Sequence, residues 1–203
     1  MKSCEYDGVL PGEPRSHPWS DSAANTSHRY HDLTAHPGLI RTSLEDLLPW
    51  SHYRGITHLY ELLERMNVPG SLLESNDCGF SAPDANDAPH VDKALQCQGR
   101  VMVLYRELEW NLSRRRVHEL AHAIHVHLAT HDRDFEWGIV GTTIAPTRYV
   151  NLPGAHDEQL GHQLMLSFWA WGDSEAEVMG NLDRVIVNLA GAVAEAVRQT
   201  TSS

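Results

Sequence analysis

Asn111 to Phe135 contain neither glycine nor proline, and near their centre stands Val117-His118-Glu119-Leu120-Ala121-His122. So long an uninterrupted stretch with apolar residues at three- and four-residue steps is a helix before it is anything else. With His118 at 0° and about 100° per residue, His122 falls near 40°, Glu119 near 100° and His125 near 340°. The two imidazoles share one face, one turn apart, and the carboxylate stands beside them. Val117, Leu120, Ile124 and Leu128 gather at roughly 200 to 280° and give the helix a side for a core. His127 and His131 point away from the imidazole pair and read as packed or solvated residues. HExxH on a helix is a zinc-binding arrangement: two neutral imidazoles hold the ion, and the glutamate takes a proton from a zinc-bound water. The expected cofactor is therefore Zn²⁺, with His118 and His122 as ligands and Glu119 as the catalytic base.

Charge and composition remove several other functions. The 203 residues carry 16 Lys and Arg against 27 Asp and Glu, a net charge of −11, which lacks the basic footprint of a nucleic-acid-binding module. The 14 histidines could carry that charge to +3 if all were protonated. No run approaches the ~20 apolar residues of a membrane helix, and residues 1–18 lack the apolar segment of a signal peptide. There is no GxxxxGK[ST] nucleotide-binding loop. Cys4, Cys78 and Cys97 cannot all pair within one chain and form no CxxC, so a reducing, cytoplasmic setting is expected.

Along the chain, residues 1–40 are polar, broken by Pro11, Pro14, Pro18 and Pro37, and read as an irregular arm in which His17, His28, His31 and His36 share no ligand spacing. Residues 41–203 read as a single domain with its HExxH core at 101–198. Ser43-Leu44-Glu45-Asp46 resembles a helix start, and Ile56, Leu59, Leu62 and Leu63 keep helical spacing until Asn67-Val68-Pro69-Gly70, which together suggest a helical hairpin. Residues 74–98, rich in Asn, Asp, Pro and Ser, read as a loop. Cys78, His90 and Cys97 within it match no zinc-finger spacing. Val101 to Tyr105 suggests a buried strand or helix entry, Arg106 to Thr130 a long helix, and Trp137 to Val150 a strand or hairpin ended by Asn151-Leu152-Pro153-Gly154. Asp157 to Trp171, with Leu160, Leu164, Met165 and Phe168, reads as a helix. A last helix follows Asp173-Ser174 and runs to about Arg198.

His118-Glu119-Leu120-Ala121-His122-Ala123-Ile124, the stretch from Gly141 to Pro146, and Asn181 to Glu195 with its Leu189-Ala190-Gly191 and Ala194-Glu195 resemble, in order and spacing, the peptidase domain of the FtsH-type AAA zinc proteases. The likeness covers residues 114–198 only. It implies a predominantly α-helical α+β fold of zincin type with a small strand unit, and a zinc metallopeptidase hydrolysing peptide bonds in a peptide or protein substrate. The family's ATPase module and membrane anchor are missing from this chain, so a separate ATPase or other protein partner is implied. Its third zinc ligand, an aspartate beyond the last helix, has no counterpart. By resemblance Glu195 takes that place. The periodicity of the last helix puts Glu195 opposite the stripe Val178, Leu182, Val185, Leu189, Val193 and Ala196, while Glu175 and Asp183 lie within or beside it, so all three acids stay open. The alternative function is a non-catalytic interaction protein that keeps the peptidase fold with an incomplete metal site.

Overall fold

The computed structural model describes residues 1–20, 32–152 and 158–201. His28, His31, Pro153, Gly154 and Asp157 lie outside the described residues. Six strands, β1 (Lys2–Val9), β2 (Arg15–Pro18), β3 (Leu73–Ala85), β4 (Leu95–Tyr105), β5 (Gly138–Val150) and β6 (Glu158–Gly172), form one sheet in the order β1-β5-β6-β4-β3. β3, β4, β6 and β5 pair antiparallel. β1 and β2 lie end to end along β5, both parallel to it. Helices α1 (Gly38–Ser43), α2 (Arg54–Met66), α3 (Leu108–Leu112), α4 (Arg114–Thr130) and α5 (Glu175–Thr201) and a 3-10 turn at Glu45–Trp50 complete the described chain. Among the described residues no helix is long and apolar enough to cross a membrane.

The expected predominantly helical, zincin-type domain with a small strand unit is therefore corrected. The structure is 40% helical and 34% strand, with an extended mixed sheet at its centre. Three segments account for the difference. Residues 158–172 form β6 rather than a helix: Leu164, Leu166, Phe168 and Ala170 are all fully buried, a period of two along one face. Leu160, Leu164, Met165 and Phe168 also satisfy helical spacing, so the local pattern fits both periods, and pairing with β4 and β5 on either side decides between them. Residues 74–98 form most of the hairpin of β3 and β4 rather than a loop. β3 ends the sheet, where one strand edge and much of one face need no apolar cover. In the supposedly irregular arm, Lys2–Val9 and Arg15–Pro18 are strands.

The buried face of the sheet is set by register. Val140 pairs with Phe168, Thr142 with Leu166 and Ile144 with Leu164, while Val101 and Val103 of β4 oppose Leu166 and Leu164. α5 packs over this face through Val178, Leu182, Val185, Leu189, Val193 and Ala196, all buried as its periodicity demands. α2 crosses α5 closely: a Cβ on Gly55 would stand 2.9 Å from the backbone nitrogen of Asp183. α4 lies beside α5, with Val117, Leu120, Ile124 and Leu128 at most 2% exposed.

The long helix expected from Arg106 to Thr130 is broken at Ser113, whose hydroxyl accepts from the Arg116 amide and starts α4. Before it, the fully buried Asn111 clasps the end of β4. Its Oδ1 accepts from the Tyr105 amide at 2.8 Å and its Nδ2 donates to the Tyr105 carbonyl at 2.7 Å. After α4, Asp132 takes a left-handed backbone angle and gathers three donors: Arg184, Asn188 and, through the backbone carbonyl, the ammonium of Met1. Hydrogen bonding to Arg184 holds the Asp132 carboxyl at about 2.

β2 also buries a titratable group. His17 meets Tyr149 edge-on at 5.8 Å and its Nδ1 accepts from Asn76 Nδ2 at 2.9 Å, while its Nε2 is buried without a partner. Burial lowers its pKa to about 4. Between about pH 6.5 and pH 4 the unfolded chain binds a proton that the native chain does not, so stability falls as pH falls through this window. Relative to the parent, His17→Gln should flatten that fall by on the order of 2 kcal/mol. Urea unfolding at pH 7, 5.5 and 4 checks this, and parallel slopes for the two proteins would exclude the role.

Candidate functional site

α4 carries its histidines as a stripe against β1. The Nδ1–H of His122 donates to Glu5 Oε2 at 3.0 Å, His118 Nε2 stands 3.8 Å from Glu5 Oε1, and one turn further on His125 Nδ1 shares a hydrogen bond of 2.9 Å with Ser3 Oγ. The three histidines that the helical period brings together, His118, His122 and His125, therefore do form one face. The His118 and His122 rings are nearly parallel, 5° apart, with centroids 6.2 Å from each other. His118 is about one-third exposed and His122 more than half. His127 and His131, read from the sequence as pointing elsewhere, stack on each other at 5.3 Å.

Glu119 is exposed beside this face and bonds Arg115 Nε at 2.8 Å. That bond, one turn along the helix, holds its carboxyl below the ordinary glutamate range, and the charge of His118 acts in the same direction. While Arg115 holds it, this carboxylate is a weaker base than an ordinary glutamate, so a role as general base requires Arg115 to release it.

The three acids considered for the third ligand position are all engaged elsewhere. Glu195 is bound by Gln199 Nε2 at 3.0 Å and by Arg198, which together keep its carboxyl low. The histidine whose charge reaches it is His127, not His118 or His122. Asp183 accepts from His58 Nδ1 at 2.5 Å on the α2 side of α5. Glu175 accepts from the Tyr53 hydroxyl at 2.5 Å. Each of the three is thus committed away from the HExxH pair.

An acid that does meet the pair is Glu5, which the sequence reading passed over. β1 places it there: Ser3 pairs with Val140 and Glu5 with Thr142, so both face the helix layer. Its side chain is only 16% exposed, and Oε1 is buried with no hydrogen-bond donor. The Oγ1 of its register neighbour Thr142 is likewise buried without a partner. Among the described residues no group of three His, Cys, Asp or Glu side chains stands ready-made around a metal position. Cys78 and Cys97 lie on neighbouring strands, and burial pushes both thiols up to about 12, which leaves them protonated at neutral pH. No disulfide is formed by the three cysteines.

Compared with known protein families, curated proteins and solved structures, the chain shows no significant match to any of them.

Proposed function

We propose that the protein is a zinc-dependent hydrolase of peptide bonds, with His118 and His122 as metal ligands and Glu119 as general base. The observation that carries this reading is the pair of parallel imidazoles on the β1-facing side of α4 with a buried, donorless carboxylate oxygen against them. Two nitrogens and a carboxylate oxygen are the donor types of a catalytic zinc, so the residues fit the ion in kind. Bound there, zinc supplies Lewis acidity and brings water within reach of deprotonation near pH ~7. His118 and His122 orient the site from one rigid helix. Glu119, turned from Arg115, accepts the proton as the peptide carbonyl is attacked. Peptide bonds as the substrate class come from the likeness of residues 114–198 to the FtsH-type peptidase domain.

Purified without a histidine tag, the protein should carry about one zinc per chain, and His118→Ala should empty the site. Elemental analysis with a casein digestion assay tests this. Metal content near zero, unchanged on adding zinc, would remove the metalloenzyme reading.

A non-catalytic interaction protein is the second reading, favoured by three observations. The histidine stripe already serves to dock β1 on α4, and no metal group is preassembled among the described residues. The sheet also has a groove of about 440 Å³ lined by Gln98, Arg100, Met165, Ser167 and Trp169. Absence of both zinc and hydrolysis selects this reading.

A further inference from the structure

We infer that Glu5, delivered by β1, is the third protein ligand of a zinc site completed by His118 and His122. This rests on the zinc reading above and names the ligand that the HExxH helix alone does not supply. Three observations converge on it. Glu5 bonds the pair directly, through His122, and it does so from a strand 117 residues away in sequence. Its other oxygen, Oε1, is buried with no donor, and the neighbouring Thr142 hydroxyl is in the same state. Such an atom calls for an explanation, and an ion or water bound beside it is one. Finally, the distance is close to what an ion sets. Tetrahedral ligands each about 2.0 to 2.2 Å from a shared zinc stand about 3.3 to 3.6 Å from one another, and His118 Nε2 to Glu5 Oε1, at 3.8 Å, is a few tenths of an ångström beyond that.

His118 Nε2 and Glu5 Oε1 thus already stand close to bridging distance. His122 is the ligand that must turn: its Nδ1 is spent on Glu5 Oε2, and its ring centroid is 6.2 Å from that of His118. At 59% exposure its side chain has room to rotate. The change required is a rotamer of His122, since no ready-made three-residue group is present among the described residues. The donor set is two nitrogens and one carboxylate oxygen with a position left for water, the layout of a hydrolytic rather than a closed structural zinc.

The test titrates zinc chloride into the full-length protein against a chromophoric chelator, and records the visible spectrum after cobalt(II) substitution. The parent should bind one ion. Glu5→Gln should bind it on the order of a hundredfold more weakly and lose the tetrahedral cobalt bands, Glu5→Asp should lie between, and Glu195→Ala should match the parent. Glu5→Asp keeps the charge against His122, so it carries the test if Glu5→Gln fails to fold. If the parent binds zinc and both Glu5 variants bind it equally well, this inference is overturned and the two-histidine reading stands. If the parent binds no zinc, both fall.

Discussion

Asn111→Ala should lower the unfolding free energy by on the order of 3 kcal/mol or more. The side chain is fully buried and makes two bonds to Tyr105, accepting from its amide and donating to its carbonyl, and a third to the Glu107 carbonyl at 3.3 Å. Alanine leaves the Tyr105 amide and carbonyl unpaired in a dry core, each costing about 1 to 3 kcal/mol, and opens a cavity too small to admit water readily. Urea unfolding followed by tryptophan fluorescence measures the effect. A loss below about 1 kcal/mol would mean that Asn111 does not hold β4 to the start of α4.

Glu119→Gln should abolish hydrolysis to within about a hundredth of the parent rate, the usual weight of a general base, while zinc stoichiometry stays at about one. The two side chains have nearly the same volume, and Glu119 is 46% exposed with Arg115 as its bonded partner. Solvent screens an exposed pair of this kind so that it adds little stability, and neither the fold nor α4 should suffer. Arg115→Ala is the complementary variant. It frees the carboxylate, lets its pKa rise toward the ordinary range, and should leave zinc binding unchanged. Cleavage by Glu119→Gln at the parent rate would exclude Glu119 as the base.

How much of this was legible in the sequence depended on how locally each element is specified. α4 and α5 were readable because long helices repeat one pattern many times, and every residue placed on their core stripes is buried. β6 was not, since Leu160, Leu164 and Phe168 satisfy the helical period, and Leu164, Leu166, Phe168 and Ala170 the strand period. Only its neighbours break the tie. β3 hid behind its Asn, Asp and Pro, which an outer strand tolerates.

The candidate site divided in the same way. His118, Glu119 and His122 could be placed on one surface because a single helix spaces them. Glu5 could not, because its place against α4 depends on β1 pairing with β5, a strand that follows α4 in the chain. The weak signal for it was alternation in Lys2–Val9, with Ser3 and Glu5 on one face and Cys4 and Tyr6 on the other, but without an apolar face such alternation passes for irregular chain. Glu195 was favoured by order along the chain, and the helix turned it toward Arg198 instead.

The parallel docking of β1 has a kinetic side. β3 with β4, and β5 with β6, are hairpins of neighbouring segments that can close over short loops, whereas β1 must wait for a partner far along the chain. Long-range parallel pairing is the slow part of assembling a sheet. The face shared by Glu5, His118 and His122 therefore exists only once the last strand has arrived. Before that moment α4 shows a bare histidine stripe, so refolding followed at this face should trail refolding followed at the tryptophans of β6.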